Sequence, residues 1–91
     1  MKYTVKVTAQ FKKDYKRAKK RGLPINLLDD LIKKLAHGEP IAEKNDDHPL
    51  TGNYARFREC HIAPDWLLIY LLDKDILVLT LTRTGSHGDL F

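Results

Sequence analysis

Tyr3, Val5 and Val7 alternate with Lys2, Thr4 and Lys6, a pattern that predicts a half-buried strand. The period then lengthens. Phe11, Tyr15 and Ala18 fall on one side of a helix whose other positions are mostly Lys and Arg, and the Thr8 hydroxyl is placed to cap it. Gly22 and Pro24 break that helix. Pro24 suits the start of a second helix, because an N–H there would have no intrahelical partner anyway. The second helix carries a stripe of Leu28, Leu31, Ile32 and Leu35 and stops at Gly38.

Periodicity is lost from Glu39 to Asn53, where Pro, Asn, Asp and Gly predict a loop. A loop of that length in a small domain is more often functional than filler. Three strands are predicted beyond it. Tyr54 to Ile62 is mixed in polarity and suits an edge. Trp66 to Leu72 is apolar throughout, as expected of a central strand buried on both faces. Ile76 to Arg83 is rich in β-branched residues. Ala63-Pro64 and Asp73-Lys74-Asp75 are short enough to force antiparallel hairpins. The order β-α-α-β-β-β predicts an α+β fold, with two helices on one face of a mostly antiparallel four-stranded sheet. Its other face is left for a substrate. The pattern does not choose a partner for the first strand.

With 91 residues the chain makes one domain, 1–91. Lys plus Arg number 16 against 12 acids, and the excess is clustered before Gly22, where Asp14 is the single acid. A one-sided block of this kind favours a polyanionic partner over a merely solvated face. Lys12, Lys13, Lys16, Lys19 and Lys20 are the expected contacts to an RNA backbone. Cys60 is alone, so neither an internal disulfide nor a multi-cysteine zinc site can form. No apolar run resembles a signal peptide or a membrane helix, and the cytoplasm is the expected compartment.

The candidate chemistry lies where strands meet turns. His48, His61, Asp65 and His87 supply proton donors and acceptors, and Arg83 supplies a fixed cation. Imidazoles can move protons near neutral pH, and a guanidinium can pair the oxygens of a crowded phosphate. RNA carries its own nucleophile, so this set suffices to cut it without a metal or other cofactor. Phe91 could stack on an unpaired base. Whether Asp65 accepts a proton or orients a histidine is left open by the sequence.

Each residue also has a plainer reading. His61 could be a hydrogen-bonded core residue, His48 a restrained loop residue before Pro49, and His87 a solvated turn residue. His37, at a helix end, is expected to meet the terminal carbonyls, and Trp66 to belong to the core.

The segments Asp47-His48-Pro49-Leu50, Arg58-Glu59-Cys60-His61-Ile62-Ala63-Pro64-Asp65-Trp66-Leu67-Leu68-Ile69-Tyr70 and Arg83-Thr84-Gly85-Ser86-His87 through Phe91 together resemble the YafQ branch of the RelE/ParE toxin superfamily. The resemblance covers nearly the whole chain. It implies a toxin of a type II toxin–antitoxin pair that cleaves mRNA on the translating 70S ribosome and is neutralised by a cognate antitoxin. The toxin–antitoxin complex would bind its own operator DNA. On this resemblance His48, His61, Asp65 and His87 are the catalytic group, assisted by Arg83 and Phe91.

Two other readings use the same residues differently. Three histidines and an aspartate can hold zinc or iron, although no pair of histidines one helical turn apart is present. A non-catalytic nucleic-acid binder, or a ParE-like toxin directed at gyrase, would fit the fold but gives no reason for clustered histidines.

Overall fold

The computed structural model describes residues 1–91. Strand β1 (Thr4–Val7) is followed by helices α1 (Ala9–Lys20) and α2 (Ile25–His37), the two-residue strand β2 (His48–Pro49), strands β3 (Arg58–Ala63), β4 (Trp66–Asp73) and β5 (Val78–Gly85), and the short helix α3 (His87–Leu90). Single 3-10 turns occupy Glu43–Asn45 and Gly52–Tyr54. The predicted α+β layout holds, with one strand more than the sequence pattern supplies. The sheet has five strands in the order β1-β5-β4-β3-β2.

Local signals behave as the chain's chemistry requires. The Thr8 hydroxyl accepts from the Phe11 N–H at 2.9 Å and donates to the Thr82 carbonyl at 2.8 Å, so the cap also fastens α1 to β5. Gly38 ends α2 in the left-handed conformation, with φ of 74°. The N–H groups of Gly38 and Glu39 return to Leu35 and Lys34, closing the helix end.

β3, β4 and β5 form two antiparallel hairpins, as expected, while β1 pairs in parallel with β5 through Thr4↔Val78 to Val7↔Leu81. Phe11 and Ala18 of α1 and Leu28, Leu31, Leu35 and Ala36 of α2 pack on Cys60, Trp66, Leu68, Tyr70, Leu79 and Leu81. Both helices therefore cover one face. Trp66 through Tyr70 are all buried, as the apolar run predicts for a central strand, while Leu71 and Leu72 at its far end are half-buried.

Three boundaries differ from the predicted ones. The expected loop contains β2, because His48 and Pro49 pair with Glu59 and Arg58. The strand expected from Tyr54 begins at Arg58, since Gly52–Tyr54 coils into a 3-10 turn. Ile76 and Leu77 lie in the β4–β5 turn, where the Asp73 carboxylate accepts from the N–H groups of Asp75 and Ile76 and Leu77 takes a positive φ of 56°.

Candidate active site

Register decides which side chains share the face opposite the helices. Cys60, Leu68 and Tyr70 point to the helices, so Glu59 and His61 of β3 point away, and His48 joins them because it pairs with Glu59. Glu59 is 5% exposed. Its Oε1 lies 3.4 Å from His48 Nε2 and 3.6 Å from His61 Nε2. Asp46, left-handed at φ 47° after the first 3-10 turn, places Oδ2 3.9 Å from His61 Nε2. Asn45 beside it donates to the His61 carbonyl at 2.7 Å, fixing this turn against β3.

A second group faces the first. Asp65, in the β3–β4 turn, accepts from the His87 backbone N–H at 3.2 Å and lies 3.1 Å from His87 Nδ1. The hydrogen bond from His87 holds the Asp65 carboxyl below its ordinary range. A carboxylate only accepts, so Nδ1 carries the proton and Nε2 is left for other chemistry. The His61 and His87 rings are 6.1 Å apart, centre to centre.

The rings continue as a chain. Phe91 is tilted against His87 at 6.4 Å and meets Tyr54 edge-on at 5.9 Å, and Tyr54 in turn meets Phe57 at 6.4 Å. Phe91 and Tyr54 are both largely exposed. Their faces supply stacking surface beside the imidazoles.

The structure thus brings together His48, His61, Asp65, His87 and Phe91 at one face. Arg83 also belongs to this face, opposite Ile69, but its side chain turns toward α1. Arg83 Nε and Nη2 donate to Asp14 at 2.9 and 3.2 Å. Burial pushes the Asp14 carboxyl up, but donation from Arg83, Gln10 and the Thr84 N–H outweighs it and leaves the carboxyl below its ordinary value. Arg83 therefore has Nη1 without a protein partner. Lys12, Lys13, Lys16, Lys19 and Lys20 are all exposed along α1, and His37 is exposed at the end of α2.

Glu59, Asp46 and Tyr54 are the residues that sequence reasoning missed. Glu59 could have been found, because it precedes His61 by two positions in a strand and shares its face. Asp46 and Tyr54 reach the site only through the turns that carry them. The largest cleft, about 600 Å³, opens elsewhere, among Lys2, Tyr3, Ile41, Arg56, Arg58 and Tyr70, and none of the histidines lines it.

An α+β fold with two imidazole–carboxylate groups on the open face of its sheet presents a candidate acid–base site, and the same domain carries a basic helix. The model of a family described as "Bacterial toxin of type II toxin-antitoxin system, YafQ" matches residues 3–91. The chain is 39% identical over 89 residues to the mRNA interferase toxin YafQ of Escherichia coli strain K12, covering 96% of this chain and 94% of that protein. It superposes on the toxin–antitoxin complex DinJ–YafQ of E. coli with a TM-score of 0.90 at 37% identity, over 98% of both chains. A metal-bound toxin from Helicobacter pylori matches with a TM-score of 0.91 at 43% identity, over 98% of this chain and 99% of that one. The chain belongs to the YafQ family of type II toxin–antitoxin toxins.

Proposed function

We propose that this toxin is an endoribonuclease that cleaves mRNA on the ribosome by attack of the RNA's own 2′-hydroxyl, with histidines moving the protons. The observation that carries the reading is the pairing of each imidazole group with its own carboxylate on facing sides of one surface. His48 and His61 share Glu59, and His87 has Asp65. The first group is suited to take the 2′-hydroxyl proton. The second is suited to protonate the leaving 5′-oxygen through His87 Nε2, with Asp65 stabilising the imidazolium and fixing its ring. Such groups each contribute ~10²–10⁴-fold.

Arg83, steadied by Asp14, presents Nη1 to the phosphate as negative charge builds up. Phe91 and Tyr54 offer faces for a base. The ribosome supplies the orientation of mRNA that so open a site lacks. Products are a 2′,3′-cyclic phosphate or 3′-phosphate and a 5′-hydroxyl.

The metal-bound state of the H. pylori toxin raises a metal-dependent cleavage for this chain too. The 2′-hydroxyl route has no need of a metal-activated water, which disfavours that reading. The E. coli relative's complex with DinJ supports a cognate antitoxin as partner, an acidic and partly disordered segment being suited to the basic helix. The resulting complex would bind its operator DNA. No helix is long and apolar enough to cross a membrane, and a ribosomal target places the toxin in the cytoplasm.

The test is cleavage of a defined mRNA programmed on 70S ribosomes, with mapping of cut sites and product ends. A chelator selective for zinc-like metals is added while magnesium keeps the ribosome intact. Chelator-resistant cuts with 5′-hydroxyl ends are expected. Intact mRNA alongside inhibited gyrase would replace the nuclease by the gyrase-directed reading.

A further inference from the structure

We propose that Asp47 and Tyr70 are positioning residues for this reaction: the hydrogen bond between them fixes the register of β2 and thereby holds His48 on the open face beside Glu59. The effect on cleavage rests on the nuclease reading above; the placement of His48 does not.

His48 stands on the weakest strand of the sheet. β2 has two residues, paired as His48↔Glu59 and Pro49↔Arg58, and it lies at the edge with no strand beyond it. Pro49 has no N–H to give to the pairing. The Leu50 N–H, bonded to the Phe57 carbonyl at 2.9 Å, fastens the far end of the segment. A strand so short specifies its register poorly, and a slip of one residue turns every side chain to the other face. Such a slip would put Pro49 or Asp47 opposite Glu59 and take His48 off the open face.

A bond made on the opposite face prevents this. Consecutive residues of an extended chain point to opposite sides. While His48 faces Glu59, Asp47 reaches the helix side, where Arg58 and Tyr70 stand opposite each other on β3 and β4. Asp47 Oδ1 accepts from the Tyr70 hydroxyl at 2.6 Å and from Arg58 Nε at 3.3 Å. Tyr70 is 1% exposed, so its ring cannot follow a moving loop. Burial, joined by donation to Asp47, pushes its phenol up, so it stays a donor at neutral pH. A slip of one residue would move Asp47 by about 3.3 Å and turn it to the open face, breaking both contacts.

The same pin aims the imidazole. His48 Nδ1 lies 3.2 Å from the Pro49 carbonyl and Nε2 lies 3.4 Å from Glu59 Oε1, and both contacts depend on where β2 lies. Asp47 and Tyr70 also line the largest cleft, and the Asp47 side chain is 25% exposed. Water from the cleft can therefore solvate the carboxylate when the phenol is removed, and Tyr70→Phe keeps the ring that the core needs. The loss falls on placement rather than on the fold.

Single-turnover cleavage of mRNA on 70S ribosomes is measured for whole-chain variants, with melting temperatures alongside. Tyr70→Phe and Asp47→Ala should each lower the rate roughly tenfold, part of the ~10²–10⁴-fold that a positioned base contributes, with the half-saturating ribosome concentration unchanged. Asp47→Asn should recover most of the rate, because its amide oxygen can still accept from Tyr70 and Arg58. In a His48→Gln background Asp47→Ala should cost nothing further, since residues acting through one another do not add. Full rates in both Tyr70→Phe and Asp47→Ala, or losses that multiply with His48→Gln, overturn the proposal. Placement is read separately by NMR on the free toxin. In Tyr70→Phe the Overhauser contacts between the His48 ring and Glu59 should weaken, while those between the His61 and His87 rings persist. His48 contacts at full strength overturn the pin. Asp47→Ala carries the same measurement should Tyr70→Phe fail to fold. Wild-type toxin that leaves mRNA intact overturns the nuclease reading, and the NMR comparison still decides whether Asp47 and Tyr70 place His48.

Discussion

Phe91 is 59% exposed, yet its ring is held from two sides by His87 and Tyr54. An aromatic fixed in this way and still open to solvent can receive a base without ordering itself first. Stacking is worth ~1–3 kcal/mol per base. Phe91→Ala should therefore slow single-turnover cleavage on ribosomes by roughly tenfold or more, while ribosome affinity changes little because the lysines that would supply it lie on α1. Equal rates for the two proteins would remove Phe91 from the site. Cys60 shows the opposite case. Burial pushes its thiol up to about 12, and its side chain packs in the core on the helix side of the sheet although its neighbours Glu59 and His61 face the other way.

α1 does two jobs with two kinds of cation. Its lysines stay in solvent, whereas Arg21, the residue that ends the helix, turns to Asp89 of α3, and Arg17 lies between Asp89 and its hydrogen-bond partner Asp14 at 3.3 Å. Arg21 Nη1 and Nη2 meet the Asp89 oxygens at 2.7 and 3.3 Å, and Arg17 Nη2 lies 3.8 Å away. Ser86 and Asp89 cap each other across the first turn of α3. Four residues cannot hold a helix alone, so this clamp sets where His87 begins. Gly85 leaves the needed room, since a Cβ there would meet Asp89 Cβ at 2.9 Å.

Arg21→Ala should lower the cleavage rate several-fold with its KM and melting temperature nearly unchanged, because the clamp is at the surface and positions His87 without supporting the core. A lost fold, or an unchanged rate, would refute the positioning role. The pH dependence has a definite sign. Donation from Arg21 holds the Asp89 carboxyl far below its ordinary value, so the clamp's contribution is complete above the unfolded carboxylate range. It is lost as pH falls below that range toward the depressed folded value, and α3 should stay docked through neutral and mildly acid solution.

At the scale of the molecule, the net charge of +4 understates the field, because the exposed lysines are gathered on one helix. Reversing Lys12, Lys13 and Lys16 to Glu should weaken ribosome binding and flatten its salt dependence, since fewer counterions are released. The cut positions on mRNA should persist, because backbone contacts carry no sequence information. Binding measured across a salt series, with cleavage mapping alongside, checks both. Altered cut positions at unchanged affinity would move the lysines from the ribosomal contact to base selection.

The sequence by itself determined what depends on near neighbours. The Thr8 cap, the Gly38 stop, the central strand through Trp66 and the two hairpins each follow from side chains only a few residues apart. The histidine-bearing segments were legible as well, through their resemblance to a toxin family. Tertiary structure decided everything that needs two distant segments to meet. β1 chose β5 because the hairpins leave that edge of the sheet open. β2 formed because a loop with its own proline found unpaired groups on β3. Arg83 settled on Asp14, 69 residues away, and turned a candidate phosphate ligand into one held from behind. Glu59 became the shared partner of two histidines only when register put His48 opposite it. A hydrophobic period records which face of an element is buried; it carries no information about which polar side chains that burial will bring together.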